Sequence, residues 1–130
     1  MKLAHIGIAV RSIEEKLRIW RDVLGLKLHI IQEVSDQKVR IAALEAGDIH
    51  IELIEPTDVH STIHEFIEKR GEGLHHLCFD VKNIEQVLSD MKKNGITLID
   101  EVPRKGAYAD KIAFVHPKDM GGVLIELSER

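Results

Sequence analysis

Four residues carry the chemistry that this sequence offers: His5, Glu52, His76 and Glu126. His5 lies in L-A-H-I-G-I-A-V, Leu3 to Val10, and His76 in G-L-H-H-L-C-F-D-V, Gly73 to Val81. Sliding the first by 71 residues lays His5 on His76, Ile6 on Leu77, Ile8 on Phe79 and Val10 on Val81. Both stretches alternate as a strand with one buried face does. Each histidine therefore leaves the apolar side, with Gly7 and Ala9 in the first copy and with Cys78 and Asp80 in the second. A glutamate interrupts an apolar strand in each half, Glu52 in I-H-I-E-L-I and Glu126 in V-L-I-E-L-S. A carboxylate among β-branched neighbours is costly unless it is paired. The histidine-to-glutamate separations are 47 and 50 residues, so the repeat predicts that two imidazoles and two carboxylates converge. That donor set suits a divalent cation such as cobalt, manganese, nickel, iron or zinc, with two positions left open to water or to two oxygens of a ligand. His75 points to the opposite face from His76 and stays outside the set. His50 shares the face of Glu52 and is a candidate to support it.

The elements that must hold these residues also repeat. Ser12 and Glu15 have the spacing of a capping box, and Ile13, Leu17, Trp20 and Leu24 recur at helical spacing before Gly25. Strands are expected over Leu26 to Val34, Val39 to Ala46 and, past the Gly47-Asp48 turn, Ile49 to Glu55. Thr62 and Glu65 again have cap spacing, ahead of a short apolar stripe at Ile63, Phe66 and Ile67. Asn83 then stands 71 residues after Ser12 and opens a helix carrying Ile84, Val87, Leu88 and Met91, which Gly95 ends. G-I-T-L-I mirrors G-L-K-L-H, and strands follow at Lys111 to Val115 and Val123 to Leu127. The expected fold is α+β, two tandem βαβββ modules enclosing a metal-binding cleft. Module one covers about 1–56, a linker helix about 57–71 and module two about 72–130, all within one domain of 130 residues.

Composition narrows the function classes. Apolar residues make up 44% of the chain, enough for a core, and no run approaches the roughly 18 apolar residues of a membrane span. Met-Lys-Leu-Ala-His lacks the apolar segment of a secretory leader, so a cytoplasmic protein is expected. Cys78 is the single cysteine, which excludes an internal disulfide and suggests a small core residue. A net charge of −4 with interspersed signs argues against a nucleic-acid surface.

The motifs resemble those of the vicinal oxygen chelate superfamily, and within it most closely the methylmalonyl-CoA epimerases. H-I-G-I-A-V at His5, I-E-L-I-E-P at Glu52, G-L-H-H-L-C-F-D-V at His76 and I-A-F-V-H-P-K-D-M-G-G-V-L-I-E-L from Ile112 to Leu127 carry the likeness. The histidine and glutamate motifs mark the superfamily, and H-P-K followed by G-G-V-L-I-E-L points to the epimerases. The resemblance implies metal ligands at His5, Glu52, His76 and Glu126, cobalt foremost among the cations, an acyl-CoA substrate and a homodimer. Some relatives carry glutamine where this chain has Glu52. It further implies interconversion of (2R)- and (2S)-methylmalonyl-CoA by removal and return of the C2 proton, with Glu126 as one base. Some relatives place a glutamate in the third strand, where this chain reads V-R-I-A-A-L, Val39 to Leu44, without an acid. Glu45, His50 or a metal-bound water then stand as alternatives for the second base. Arg40, Arg104, Lys105, Lys111 and Lys118 are available for the phosphates of CoA. The usual glycine-rich turn becomes A-Y-A-D, Ala107 to Asp110.

Two rival functions share the architecture. A glyoxalase I-type isomerase uses the same four-ligand pattern on a different substrate, whereas extradiol dioxygenases use one carboxylate with two histidines. A metal-free binding protein of the antibiotic-sequestering kind would lack the ligand set, and fold alone does not decide among these.

Overall fold

Alternating segments become strands and capped periodic segments become helices in the computed structural model, which describes residues 1–130. The chain divides into two compact units, one of His5–His75 and one of His76–Arg130 together with Met1–Ala4.

The first unit is built on most of β1 (Lys2–Ala9), with α1 (Ile13–Leu17), β2 (Lys27–Val34), β3 (Val39–Ala46), β4 (Ile49–Pro56) and α2 (Thr62–Arg70). Its strands run in the order β2-β3-β4-β1, antiparallel except for the parallel pair of β4 with β1. One sheet face packs Ala42, Leu44 and Leu53 against Ile13 and Leu17 of α1. The other face, which carries the histidine and glutamate, is covered at one end by α2, where Ile63 and Ile67 pack on Ala9, Val39, Ile41 and Ile54. A period of two separates the two faces, so each strand serves both cores. The second helix, expected only as a linker, thus closes one end of the site face. It is capped by Ser61, whose Oγ accepts from the Ile63 N–H, and not by Thr62, which is already helical.

The first helix departs from the expected stripe. Beyond Leu17 the backbone widens into a π-helical turn over Arg18–Val23, and the Leu24 N–H donates to the Ile19 carbonyl at 2.8 Å. Five-residue spacing rotates Leu24 off the apolar face, and it is 63% exposed while Trp20 stays packed on the core.

The second unit contains most of β5 (Gly73–Asp80), followed by α3 (Ile84–Lys93), β6 (Lys111–Val115) and β7 (Leu124–Glu129), with strand order β5-β7-β6. Ile84 and Leu88 pack on Ala113, Val115, Ile125 and Leu127. The stretch G-I-T-L-I, which mirrors the start of β2, forms only an isolated bridge of Leu98 with Val115. The cause is local, because Asp100 folds back onto β6: its Oδ2 accepts from the Phe114 N–H at 2.8 Å, and the N–H groups of Ile99 and Asp100 both donate to the Phe114 carbonyl.

The repeat extends to the devices that fix each helix. Ser12 Oγ accepts from the Glu15 N–H and Asn83 Oδ1 from the Gln86 N–H, both at 3.2 Å. The first helical N–H of each helix is satisfied from the end of a strand, with Ile13 donating to Glu55 at 2.9 Å and Ile84 donating to Glu129 at 2.8 Å. Arg40 reaches both Glu14 at 3.2 Å and Glu55 at 3.6 Å, and Lys111, 71 residues later, reaches Glu85 at 2.6 Å and Glu129 at 4.0 Å. Negative charge at a helix N-terminus is favourable. One cation per module therefore ties helix start to sheet.

Candidate metal centre

Strand pleating decides where the four site residues point. In the first unit, His5 lies opposite His50 and Gly7 opposite Glu52 in the parallel β1–β4 register. Glu52 reaches diagonally past Gly7, and its Oε2 lies 3.4 Å from His5 Nδ1. In the second unit, His76 lies opposite Leu124 and Cys78 opposite Glu126. Glu126 makes the same diagonal, its Oε1 lying 3.2 Å from His76 Nε2. All four are largely withdrawn from water, with side-chain exposures of 17% and 12% for the first pair and 8% and 15% for the second. Each unit thus brings its own histidine and glutamate together.

The spacing fits a divalent cation. Donor atoms bound to one ion at about 2.1 Å and at right angles to one another stand about 3 Å apart. Both pairs have nearly that separation, and neutral imidazole with carboxylate is a donor mixture suited to first-row divalent ions.

The surroundings of the two pairs differ. On the β1–β4 side the neighbours are small, Gly7 and Ala43, with Ala43 opposite Glu52 on β3. His50 stacks on His29 with ring centroids 5.2 Å apart and an interplanar angle of 22°. His29 was not marked by the sequence pattern. It sits where the β2–β3 register shifts between Leu28 and Ile30, a bulge that alternation does not announce. On the β5–β7 side, Cys78 donates to Ser128 Oγ at 3.5 Å and Ser128 donates to Asp80 at 2.8 Å, so the expected core cysteine ends a buried polar chain beside Glu126. Phe114, opposite Glu126 on β6, meets the His76 ring edge-on at 6.3 Å.

His75, on the opposite face of β5 from His76, packs edge-on against Phe66 at 4.9 Å. His60 and His64 stand on the α2 side, where His64 faces Glu68 at 4.0 Å. The third strand presents Val39, Ile41 and Ala43 on the site face, all buried. Its acid, Glu45, lies opposite His50 and 3.9 Å from Lys27. Of the five cations available for an anionic ligand, Arg40 and Lys111 are engaged by the helix-start carboxylates and serve the fold.

A family model described as the Glyoxalase/Bleomycin resistance protein/Dioxygenase superfamily matches residues 4–114. The uncharacterized protein YqjC of Bacillus subtilis is 43% identical over 98% of this chain and 91% of its own. The mitochondrial methylmalonyl-CoA epimerase of Mus musculus is 33% identical over 98% of this chain and 72% of its own. Among solved structures, a variant of the Streptomyces coelicolor methylmalonyl-CoA epimerase in complex with 2-nitronate-propionyl-CoA superposes with a TM-score of 0.88 at 30% identity, over 99% of this chain and 94% of that one. The duplicated histidine–glutamate diagonal is therefore set in a chain that belongs to the methylmalonyl-CoA epimerase family, within the glyoxalase, bleomycin resistance protein and dioxygenase superfamily.

Proposed function

We propose that the protein is a metal-dependent isomerase that interconverts (2R)- and (2S)-methylmalonyl-CoA, with His5, Glu52, His76 and Glu126 as the ligands of one divalent cation, cobalt foremost. The observation that carries the reading is the same histidine–glutamate diagonal in both modules, at ligand spacing, in a chain of the epimerase family. When bound, the cation supplies positive charge that stabilises the enolate formed as the C2 proton leaves. Glu126 is the residue assigned to move that proton on one side. Its strand fixes its backbone between Cys78 and Phe114, and a preoriented carboxylate is an effective base only if its rotamer is held. Two bases are needed, one for each face of the enolate, and Glu45, His50 or a metal-bound water are the alternatives for the second.

The resemblance also implies a homodimer, and the proposal places the enzyme in the cytoplasm. No helix is long and apolar enough to cross a membrane.

The test is proton–deuterium exchange at C2 of methylmalonyl-CoA, with and without added cobalt. Metal-dependent exchange is the expected result. Absence of exchange together with turnover of a glutathione hemithioacetal would move the assignment to a glyoxalase I-type isomerase. A protein that binds no metal would belong with the antibiotic-sequestering proteins.

A further inference from the structure

An acyl-CoA substrate brings phosphates that the histidine–glutamate pairs do not address. One cation of the second unit is held beside the ring that meets its histidine. Arg104 stands in the segment between α3 and β6, and its backbone is bridged to Ile112 by N–H to carbonyl hydrogen bonds in both directions, at 2.9 and 2.7 Å. Its guanidinium carbon lies 5.5 Å from the centroid of the Phe114 ring. Phe114 is the same residue that lies opposite Glu126 and meets the His76 ring. Asp100 takes the Arg104 Nε at 3.5 Å while its other oxygen accepts from the Phe114 N–H. The guanidinium is thus aimed by one carboxylate and one ring, and 55% of the side chain is exposed. The Nη groups, which form the outer fork of the guanidinium, donate to no protein acceptor. A planar fork with open donors is the preferred partner of phosphate oxygens.

The loop after Arg104 is held close as well. A Cβ at Gly106 would lie 2.5 Å from the Ile112 Cγ2 atom, a branch methyl that cannot swing clear, so the chain approaches β6 as only glycine allows. The loop that carries Arg104 is thus packed on β6, and Phe114 contacts both the guanidinium, at 5.5 Å, and the His76 ring, at 6.3 Å.

Resting on the acyl-CoA reading above, we propose that Arg104 is a recognition residue for a phosphate of the coenzyme A portion of the substrate. Phosphate binding there adds charge-assisted hydrogen bonds that the acyl end cannot supply, and it selects coenzyme A thioesters over thioesters without phosphate.

The experiment compares wild type, Arg104→Ala and Arg104→Lys on methylmalonyl-CoA and on methylmalonyl-pantetheine, which lacks all phosphates, with folding checked by thermal melting. The expected result is a KM for methylmalonyl-CoA raised about ten-fold or more in Arg104→Ala, with kcat little changed and a partial recovery in Arg104→Lys. The penalty should vanish on the pantetheine thioester. An equal penalty on both substrates would show a structural role and overturn the proposal, as would no penalty on either. If wild type shows no exchange at C2, the enzymatic reading fails by itself, and calorimetric binding of coenzyme A to wild type and Arg104→Ala decides the phosphate site separately. Arg104-dependent binding then upholds it, and binding that is absent or independent of Arg104 overturns it.

Discussion

Glu126 does not pair with the residue directly opposite it. Its partner across the parallel strands is Cys78, and its carboxylate instead leans one pleat back to His76 Nε2 at 3.2 Å. Diagonal neighbours on one sheet face are within reach of long side chains. The short residue opposite is what permits the lean, and in the other unit Gly7 does the same for Glu52 and His5. The size of residues 7 and 78 thus helps set the histidine–glutamate geometry in each unit.

The proton-transfer role proposed for Glu126 separates from its proposed ligand role in Glu126→Gln. The amide keeps an oxygen for the cation but no basic site. Exchange at C2, followed by NMR in deuterium oxide, should fall by at least about a hundred-fold, while cobalt remains bound by elemental analysis. Retained exchange would remove Glu126 from the reaction.

Removing an imidazole should act earlier, on the metal itself. His5→Ala and His76→Ala are each expected to weaken cobalt binding by about a hundred-fold or more, measured by calorimetry on metal-stripped protein. Glu52→Gln should be milder, within about ten-fold, because an amide oxygen can still serve as a neutral donor. Equal losses for all three would argue that Glu52 contributes its charge to the site.

Helix starts provide a test of the repeat that does not touch the site. Glu129→Ala leaves the first N–H of α3 without its acceptor and should cost about 1–2 kcal/mol in urea unfolding. Glu55→Ala should cost a similar amount through α1. A large loss in one and none in the other would break the equivalence of the modules.

The pH dependence of stability follows from the Lys111 bridge. The hydrogen bond from Lys111 holds the Glu85 carboxyl below its ordinary range, and the Glu85 carboxylate holds the Lys111 ammonium above its own. A depressed carboxyl contributes stability above its unfolded pKa and loses it as the pH falls through the folded one. A raised ammonium contributes below its unfolded pKa and loses it as the pH rises through the folded one. Lys111→Met should therefore be less stable than wild type at neutral pH, and the difference should shrink in acid and again in strong alkali. Melting curves across pH check this, and a difference independent of pH would assign the effect to packing. Because both groups are solvent-facing, the contribution is small.

Much of the fold could be read from the chain because duplication doubles every local signal. Alternation placed His5 and His76 on polar faces, the glutamates stood in equivalent strands, and Ser12 and Asn83 marked two helix starts at one offset. Local rules failed where a third element intervenes. Leu24 leaves its stripe because a π turn widens the helix, Thr62 yields the cap to Ser61, and the second copy of β2 is replaced by Asp100 folding onto β6.

The order of residues by itself determined which side chains share a face, since the pleat has a fixed period of two, and with it the two histidines, the two glutamates and the modules that carry them. Only the tertiary structure decided which of the many charged residues are claimed by the fold. Arg40 and Lys111 look like Arg104 in the sequence, but the first two are claimed by carboxylates brought in from a helix and a strand, and Arg104 keeps its outer donors open over Phe114. Partner choice among cations depends on distances between segments far apart in the chain, which no local periodicity encodes.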